Sequence, residues 1–187
     1  MTEHPITAAL ATCLLTVAVA IAGCRATQPT ESAHDGLGRV QATGHHRPAS
    51  LPGDPFDSSS PSIGNLDPDL LAAVEAAAHD AQQDGVTLLI TSGWRSRAHQ
   101  QRLLDDAVAE YGTEEAARRF VSTPDSSAHV TGDAVDIGPT AADDWLSQHG
   151  TTYGLCQVFA NEIWHFELAT SPGGQCPEMY PDSSYRG

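Results

Sequence analysis

Residues 127–136 read SAHVTGDAVD. A polar run, Ser127-Ala128-His129, is followed seven residues after the histidine by an acid, Asp136. That acid sits in the alternating stretch DAVDIG, which predicts a short strand over 134–138. The spacing sets a histidine and an aspartate on either side of a glycine, Gly132, with one of them in a strand and the other outside it.

Working outward, IWHFEL (163–168) alternates with period two and reads as a second strand, and VTLLITSG (86–93) reads as a buried one. LDPDLLAAVEAAAHDAQQDG (66–85) carries helix signals at both ends: Asp67 can cap, Pro68 suits the first helical position and Gly85 the stop. Its residues Leu70, Leu71, Val74, Ala77, Ala78 and Ala81 form one apolar face. Further helices are expected over roughly 97–110, 113–121 and 141–150, with Pro124 breaking the pattern. Helices with interspersed short strands predict an α+β domain, a small antiparallel sheet with helices packed on one face.

The segment NEIWHFEL (161–168) adds Glu162, His165 and Glu167. In extended chain, Glu162 and His165 would face opposite ways; a turn just before the strand would let them converge. His129, Asp136 and His165 together make two imidazoles and a carboxylate, a common catalytic zinc set. Two nitrogen ligands favour zinc over calcium or magnesium. Glu162 is then left as a base for a metal-activated water. Each residue also has a plain reading. Seven other histidines (His4, His34, His45, His46, His79, His99 and His149) need no role, and an aspartate in a strand can simply cap a turn.

The whole chain has 187 residues, room for one domain and tails. Its 24 acids face nine cations, all arginine, for a net charge of −15. No basic footprint is available for phosphates, which argues against nucleic acid as a partner. Residues 1–24 read as an exported leader: an apolar run of signal-peptide length ending in Ile21-Ala22-Gly23-Cys24, similar to a bacterial lipobox whose cysteine, Cys24, would carry lipid. The first five residues, MTEHP, contain no Lys or Arg, which departs from the usual leader. An ordinary signal peptide or a single membrane anchor is the alternative. Residues 25–65, rich in Thr, Ser, Pro, Gly and His, read as a flexible linker, and 66–187 as the folded domain. In an exported protein the two cysteines outside the leader, Cys156 and Cys176, most simply form one disulfide; two buried free thiols are the alternative.

SAHVTGDAVD fits the pattern S-x-H-x-x-G-x-A-x-D, EIWH fits E-x-W-H, and SGWRSRAHQQ (92–101) is similar to S-G-Y-R-S-x-x-x-Q. In this order, over roughly 66–180, the motifs resemble the zinc D-alanyl-D-alanine carboxypeptidases of the VanY type. These fall in a wider group with the D-Ala-D-Ala dipeptidases and the Hedgehog zinc fold. The resemblance implies one zinc ion on His129, Asp136 and His165, with Glu162 as the base. It implies that Arg95 steadies the oxyanion or the substrate carbonyl, and that Ser127 and Gln100 hold the substrate's C-terminal end. Trp94 stands where the family usually has tyrosine, so it would keep an aromatic wall and lose a hydroxyl. Gly132 would permit a tight return between His129 and the strand carrying Asp136. Glu167 reads as an acceptor for a ligand imidazole or as a solvated strand residue, and Trp164 as a shield or as core. A bridge from Cys156 to Cys176 would enclose Glu162 and His165 and fix the segment that carries them, worth roughly 3 kcal/mol in the chain-entropy model.

The function implied is removal of the terminal D-alanine from peptidoglycan stem peptides, outside the membrane and from a lipid anchor, with no obligate protein partner. The alternatives are a peptidoglycan endopeptidase or D,D-dipeptidase with the same zinc centre, or a catalytically inactive zinc-stabilised cell-wall binding module. Glu162 and Arg95 favour an active enzyme.

Overall fold

The alternation read in two strands and the caps read at one helix account for most of the architecture in the computed structural model, which describes residues 53–186. In chain order the elements are α1 (Pro61–Gly64), α2 (Pro68–Gln83), β1 (Leu89–Ser92), α3 (Arg97–Tyr111), α4 (Glu114–Ala117), α5 (Ala128–Thr131), β2 (Ala134–Gly138), α6 (Thr140–His149), β3 (Leu155–Gln157) and β4 (His165–Leu168). The four strands form one antiparallel sheet in the order β1-β2-β4-β3.

Helix α2 forms as its sequence dictates. Asp67 accepts from the amides of Asp69 and Leu70 at 2.9 and 3.1 Å, satisfying two of the free N–H groups of the first turn. At the other end Gly85 turns left-handed at φ +78°, and Val86 N–H reaches back to the Ala81 carbonyl at 2.8 Å. Leu70, Val74, Ala77, Ala78 and Ala81 are buried; Leu71 packs at the margin. The small alanines let the helix lie close to the sheet. There it joins Trp145 and Leu146 of α6 over Ile90, Val135, Ile137 and Phe166.

The register divides the sheet cleanly. Asp136 pairs with His165, Val135 with Phe166, and Ala134 with Glu167. Side chains directly opposite share a face, and residues two apart share it too. Val135, Ile137 and Phe166 therefore face the helices, while Asp136, His165 and Glu167 face the other way. On β1 the ladder slips: Ile90 pairs with Ile137, but Ser92 rather than Thr91 pairs with Asp136. This bulge turns Ser92 onto the polar face.

Five segments differ from the sequence reading, the first being the strand expected over 86–93, which is confined to Leu89–Ser92. The linker was expected to run to residue 65, but residues 53–65 pack on the domain. Ile63 is buried, Gly53 O accepts from Ile90 N–H at 2.8 Å, and Ser62 O accepts from Trp94 N–H at 2.8 Å. The large apolar residues in this stretch are Phe56 and Ile63, too few for a periodicity argument. The helix expected over 113–121 stops at Ala117, because the carbonyls beyond it are taken elsewhere. Ser183 Oγ donates to Arg118 O at 2.8 Å and Asn161 Nδ2 to Arg119 O at 3.0 Å. The strand expected over 163–168 starts at His165, after a turn. The edge strand β3, three residues long, was not expected. The leader, the lipobox Cys24 and most of the linker lie outside the described residues. No helix among the described residues is long and apolar enough to cross a membrane.

The disulfide between Cys156 and Cys176 is present. It ties β3 to the segment following β4.

Candidate active site

The polar face of the sheet converts backbone register into a cluster of donors. Asp136 and His165 sit opposite each other on β2 and β4. His129 comes from α5, which ends at Gly132 with φ +88°, so the chain doubles back into β2. A Cβ at Gly132 would lie 2.6 Å from Asn65 O, so this return needs glycine for its conformation and for its space. The turn before β4 brings in Glu162, with His165 N–H donating to Glu162 O at 3.2 Å. It overcomes the opposed facing that an extended chain would give the two residues.

His129 Nε2 lies 3.2 Å from Asp136 Oδ1, His165 Nδ1 lies 3.2 Å from the same oxygen, and the two nitrogens are 3.3 Å apart. A tetrahedral ion with bonds of about 2.0–2.1 Å spaces its ligands by roughly 3.3 Å. The triangle therefore already has the edges of a zinc site. The rest of each ring is committed. His129 Nδ1–H donates to Gly93 O at 2.8 Å and His165 Nε2–H to Glu167 Oε1 at 3.0 Å. Each bond fixes the orientation of its ring and points the other nitrogen into the cluster. All three residues are buried.

Glu162 completes the corner. Its Oε2 is 3.8 Å from His165 Nδ1, and its buried Oε1 has no hydrogen-bond partner among the described residues. Burial pushes its pKa up to about 7, against the pull of His165. Burial opposes charge on Asp136 as well, but hydrogen bonds from His129 and His165 hold its carboxyl well below the usual range. On His165 burial is likewise outweighed, by bonds to Asp136 and Glu167 that raise it to about 9. His129 is lowered, chiefly by burial.

Arg95 is held by three bonds: Nη2 to Asp136 Oδ2 at 2.7 Å, Nε to Ser92 Oγ at 2.9 Å, and Nη1 to Gln100 Oε1 at 3.2 Å. A guanidinium has more N–H groups than these bonds use. Gln100 is 1% exposed, and its Nε2 donates to Ser122 O at 2.8 Å. Its geometry is that of a support for Arg95 more than of an open substrate ligand. Arg95, Gln100, Ser127 and the four clustered residues all line one cavity of about 320 Å³.

Trp94 does not line this cavity. Its Nε1–H donates to Val130 O at 3.1 Å and its rings pack against the α2 core, so it is not the expected aromatic wall. The sequence places Trp94 and Arg95 next to each other, and adjacent residues leaving a strand point opposite ways. The aromatic wall is formed by Trp164, Phe159 and the stacked pair Tyr111 and Phe120, whose ring centroids are 4.6 Å apart. The sequence reading also passed over Ser92, although it stands in the SGWR motif, and Arg186, which lines the cavity from the far end of the chain with no spacing signal to mark it. Glu167 is buried and bonded to His165, so the solvated alternative does not hold.

Comparison with known proteins gives a consistent result. Residues 64–172 match the VanY family, described as D-alanyl-D-alanine carboxypeptidase. A D-alanyl-D-alanine carboxypeptidase of Enterococcus faecalis is 29% identical over 132 residues, 54% of this chain and 49% of the relative. The match thus spans about half the length of that relative. Among solved structures, a mutant of the vancomycin resistance D,D-pentapeptidase VanY in complex with Zn(II) aligns with a TM-score of 0.52 and 25% identity, over 58% of this chain and 73% of the other. VanYB in complex with D-alanine-D-alanine aligns with a TM-score of 0.52 and 24% identity, over 55% and 70%.

Proposed function

Because the chain belongs to the VanY D-alanyl-D-alanine carboxypeptidase family, we propose that it is a zinc metallo-carboxypeptidase that removes the terminal D-alanine of peptidoglycan stem peptides. The observation that carries this reading is the triangle of His129, Asp136 and His165, with Glu162 beside it in one cavity, its buried Oε1 without a hydrogen-bond partner among the described residues. Those three residues would hold the zinc. When bound, the ion supplies Lewis acidity that acidifies a water and polarises the scissile carbonyl.

The remaining steps belong to the chain. Glu162 takes a proton from the attacking water and passes it to the leaving amine nitrogen, as the C–O bond forms and the C–N bond breaks. Burial raises the pKa of the Glu162 carboxyl in the metal-free site; a bound cation would lower it again, and the carboxylate is then the form that accepts the proton. Arg95, fixed by Ser92 and Gln100, directs its unused N–H groups at the charge growing on the carbonyl oxygen. Ser127 holds the substrate's terminal carboxylate, and Gln100 contributes from behind Arg95. The products are the shortened peptide and free D-alanine.

Such a substrate lies outside the cytoplasmic membrane, and the leader with Cys24 fits a lipid-anchored protein facing the wall. Loss of membrane retention in Cys24→Ala would support the anchor; unchanged retention would remove it. The activity is tested by following D-alanine release from a pentapeptide stem, with chelator and with zinc restored. Zinc-dependent release of one D-alanine per peptide supports the carboxypeptidase. Release of intact D-Ala-D-Ala, or cleavage only of cross-linked stems, would replace it with the dipeptidase or endopeptidase.

A further inference from the structure

Arg186 lies beyond the family-matched residues, yet its side chain reaches the polar face of the sheet. Its Nη1 is ion-paired with Glu167 Oε1, the oxygen that also accepts from His165 Nε2. A continuous line of contacts thus runs from Asp136 through His165 and Glu167 to Arg186. We propose that Arg186 is a positioning residue for the metal ligand His165, acting through Glu167. This inference rests on the zinc reading above.

The segment before Arg186 is tied down at several points, so the guanidinium is presented by a fixed backbone. Cys176 is bonded to Cys156 on β3. Tyr180 N–H donates to Val158 O at 2.9 Å, and Tyr180 O accepts from Ala160 N–H at 2.8 Å. Asp182 meets Arg119 at 3.2 Å, and Ser183 bonds the Arg118 carbonyl. These contacts hold the strap against the β3–β4 connection and the end of α4.

The physical need is clear from Glu167. Its side chain is 8% exposed, and a buried carboxylate must be compensated. Arg186 supplies a charged donor on the same oxygen that orients His165. Without it, Glu167 keeps the histidine as its remaining close partner and loses the contact that fixes its rotamer. The imidazole is then held less firmly, and Nδ1 is less well placed in the triangle. Partners that orient metal-bound histidines typically contribute about 10–100-fold to metal affinity.

The test compares the full chain with Arg186→Met, Arg186→Lys, Glu167→Gln and the Arg186→Met/Glu167→Gln double variant. Zinc affinity is read by competition with a chromogenic chelator, beside kcat, KM and the melting temperature of the metal-free proteins. We expect Arg186→Met to weaken zinc binding by about tenfold or more. Arg186→Lys should recover most of that loss. Saturating zinc should restore kcat at unchanged KM, and the double variant should bind zinc no more weakly than Glu167→Gln alone. Unchanged zinc affinity in Arg186→Met with a raised KM would overturn the proposal in favour of a substrate contact. Equal losses of affinity and melting temperature in Arg186→Met and Arg186→Lys would overturn it in favour of simple strap stability. Absence of zinc binding by the parent chain would remove the metal-centre reading itself, an outcome distinct from either.

Discussion

The two faces of strands β2 and β4 are built from alternate residues of the same short segments, and they have opposite characters. One face carries Val135, Ile137 and Phe166 into a dry core with α2 and α6. The other carries Asp136, His165 and Glu167, all buried and all held by hydrogen bonds or ion pairs. Apolar burial fixes the register on the first face, because a slip of one residue would exchange the faces. That same register aligns the donors on the second. Stability and chemistry are thus separate in side chains and joined in backbone, so the two faces should respond differently to substitution.

The largest effect is expected on the polar face. His165→Ala and Asp136→Ala should each abolish stoichiometric zinc binding and turnover while leaving the sheet intact. Metal analysis and circular dichroism check this, and full zinc occupancy in either variant would break the comparison. On the apolar face, Phe166→Ala should cost about 3–5 kcal/mol of stability by leaving a cavity under α2. Denaturant unfolding measures it, and a folded remainder that still binds zinc would sharpen the separation. A Cys156→Ser/Cys176→Ser variant should lose roughly 3 kcal/mol and some turnover, with zinc retained. Unchanged turnover would show that the bridge does not serve the site.

The mildest perturbation is a change of pH. In the metal-free protein His165 holds its proton up to about 9 through Asp136 and Glu167, whereas His129 is already lowered by burial. Below that value an incoming ion must displace the His165 proton. Zinc affinity should therefore rise with pH, by up to about tenfold per unit, and level off above it. A flat profile below neutrality would show that His165 binds no proton that the metal must expel.

Legibility in the sequence follows the range of the interactions. Helix α2 was readable at both ends because Asp67, Pro68 and Gly85 act within a turn of where they stand, and β2 because its alternation is local. His129, Asp136, Glu162 and His165 were readable as a candidate set because motif order carried them, and the structure brings all four together. Trp94 does not line the cavity, and spacing alone does not say which side of a strand exit faces it. The early stop of α4 depends on Asn161 and Ser183, more than 40 residues away, and Arg186 meets Glu167 across 19. Long-range partners of this kind leave no periodic trace. Residues 53–65 were read as linker because their contacts are mostly backbone hydrogen bonds, which composition does not record.

The most direct test is zinc content together with D-alanine release from a pentapeptide stem, measured on the full chain and on Glu162→Ala. The account predicts one zinc in both proteins and release from the parent, reduced by about 10²–10⁴-fold in Glu162→Ala. Undiminished release from Glu162→Ala, or release from a parent that holds no zinc, would contradict it.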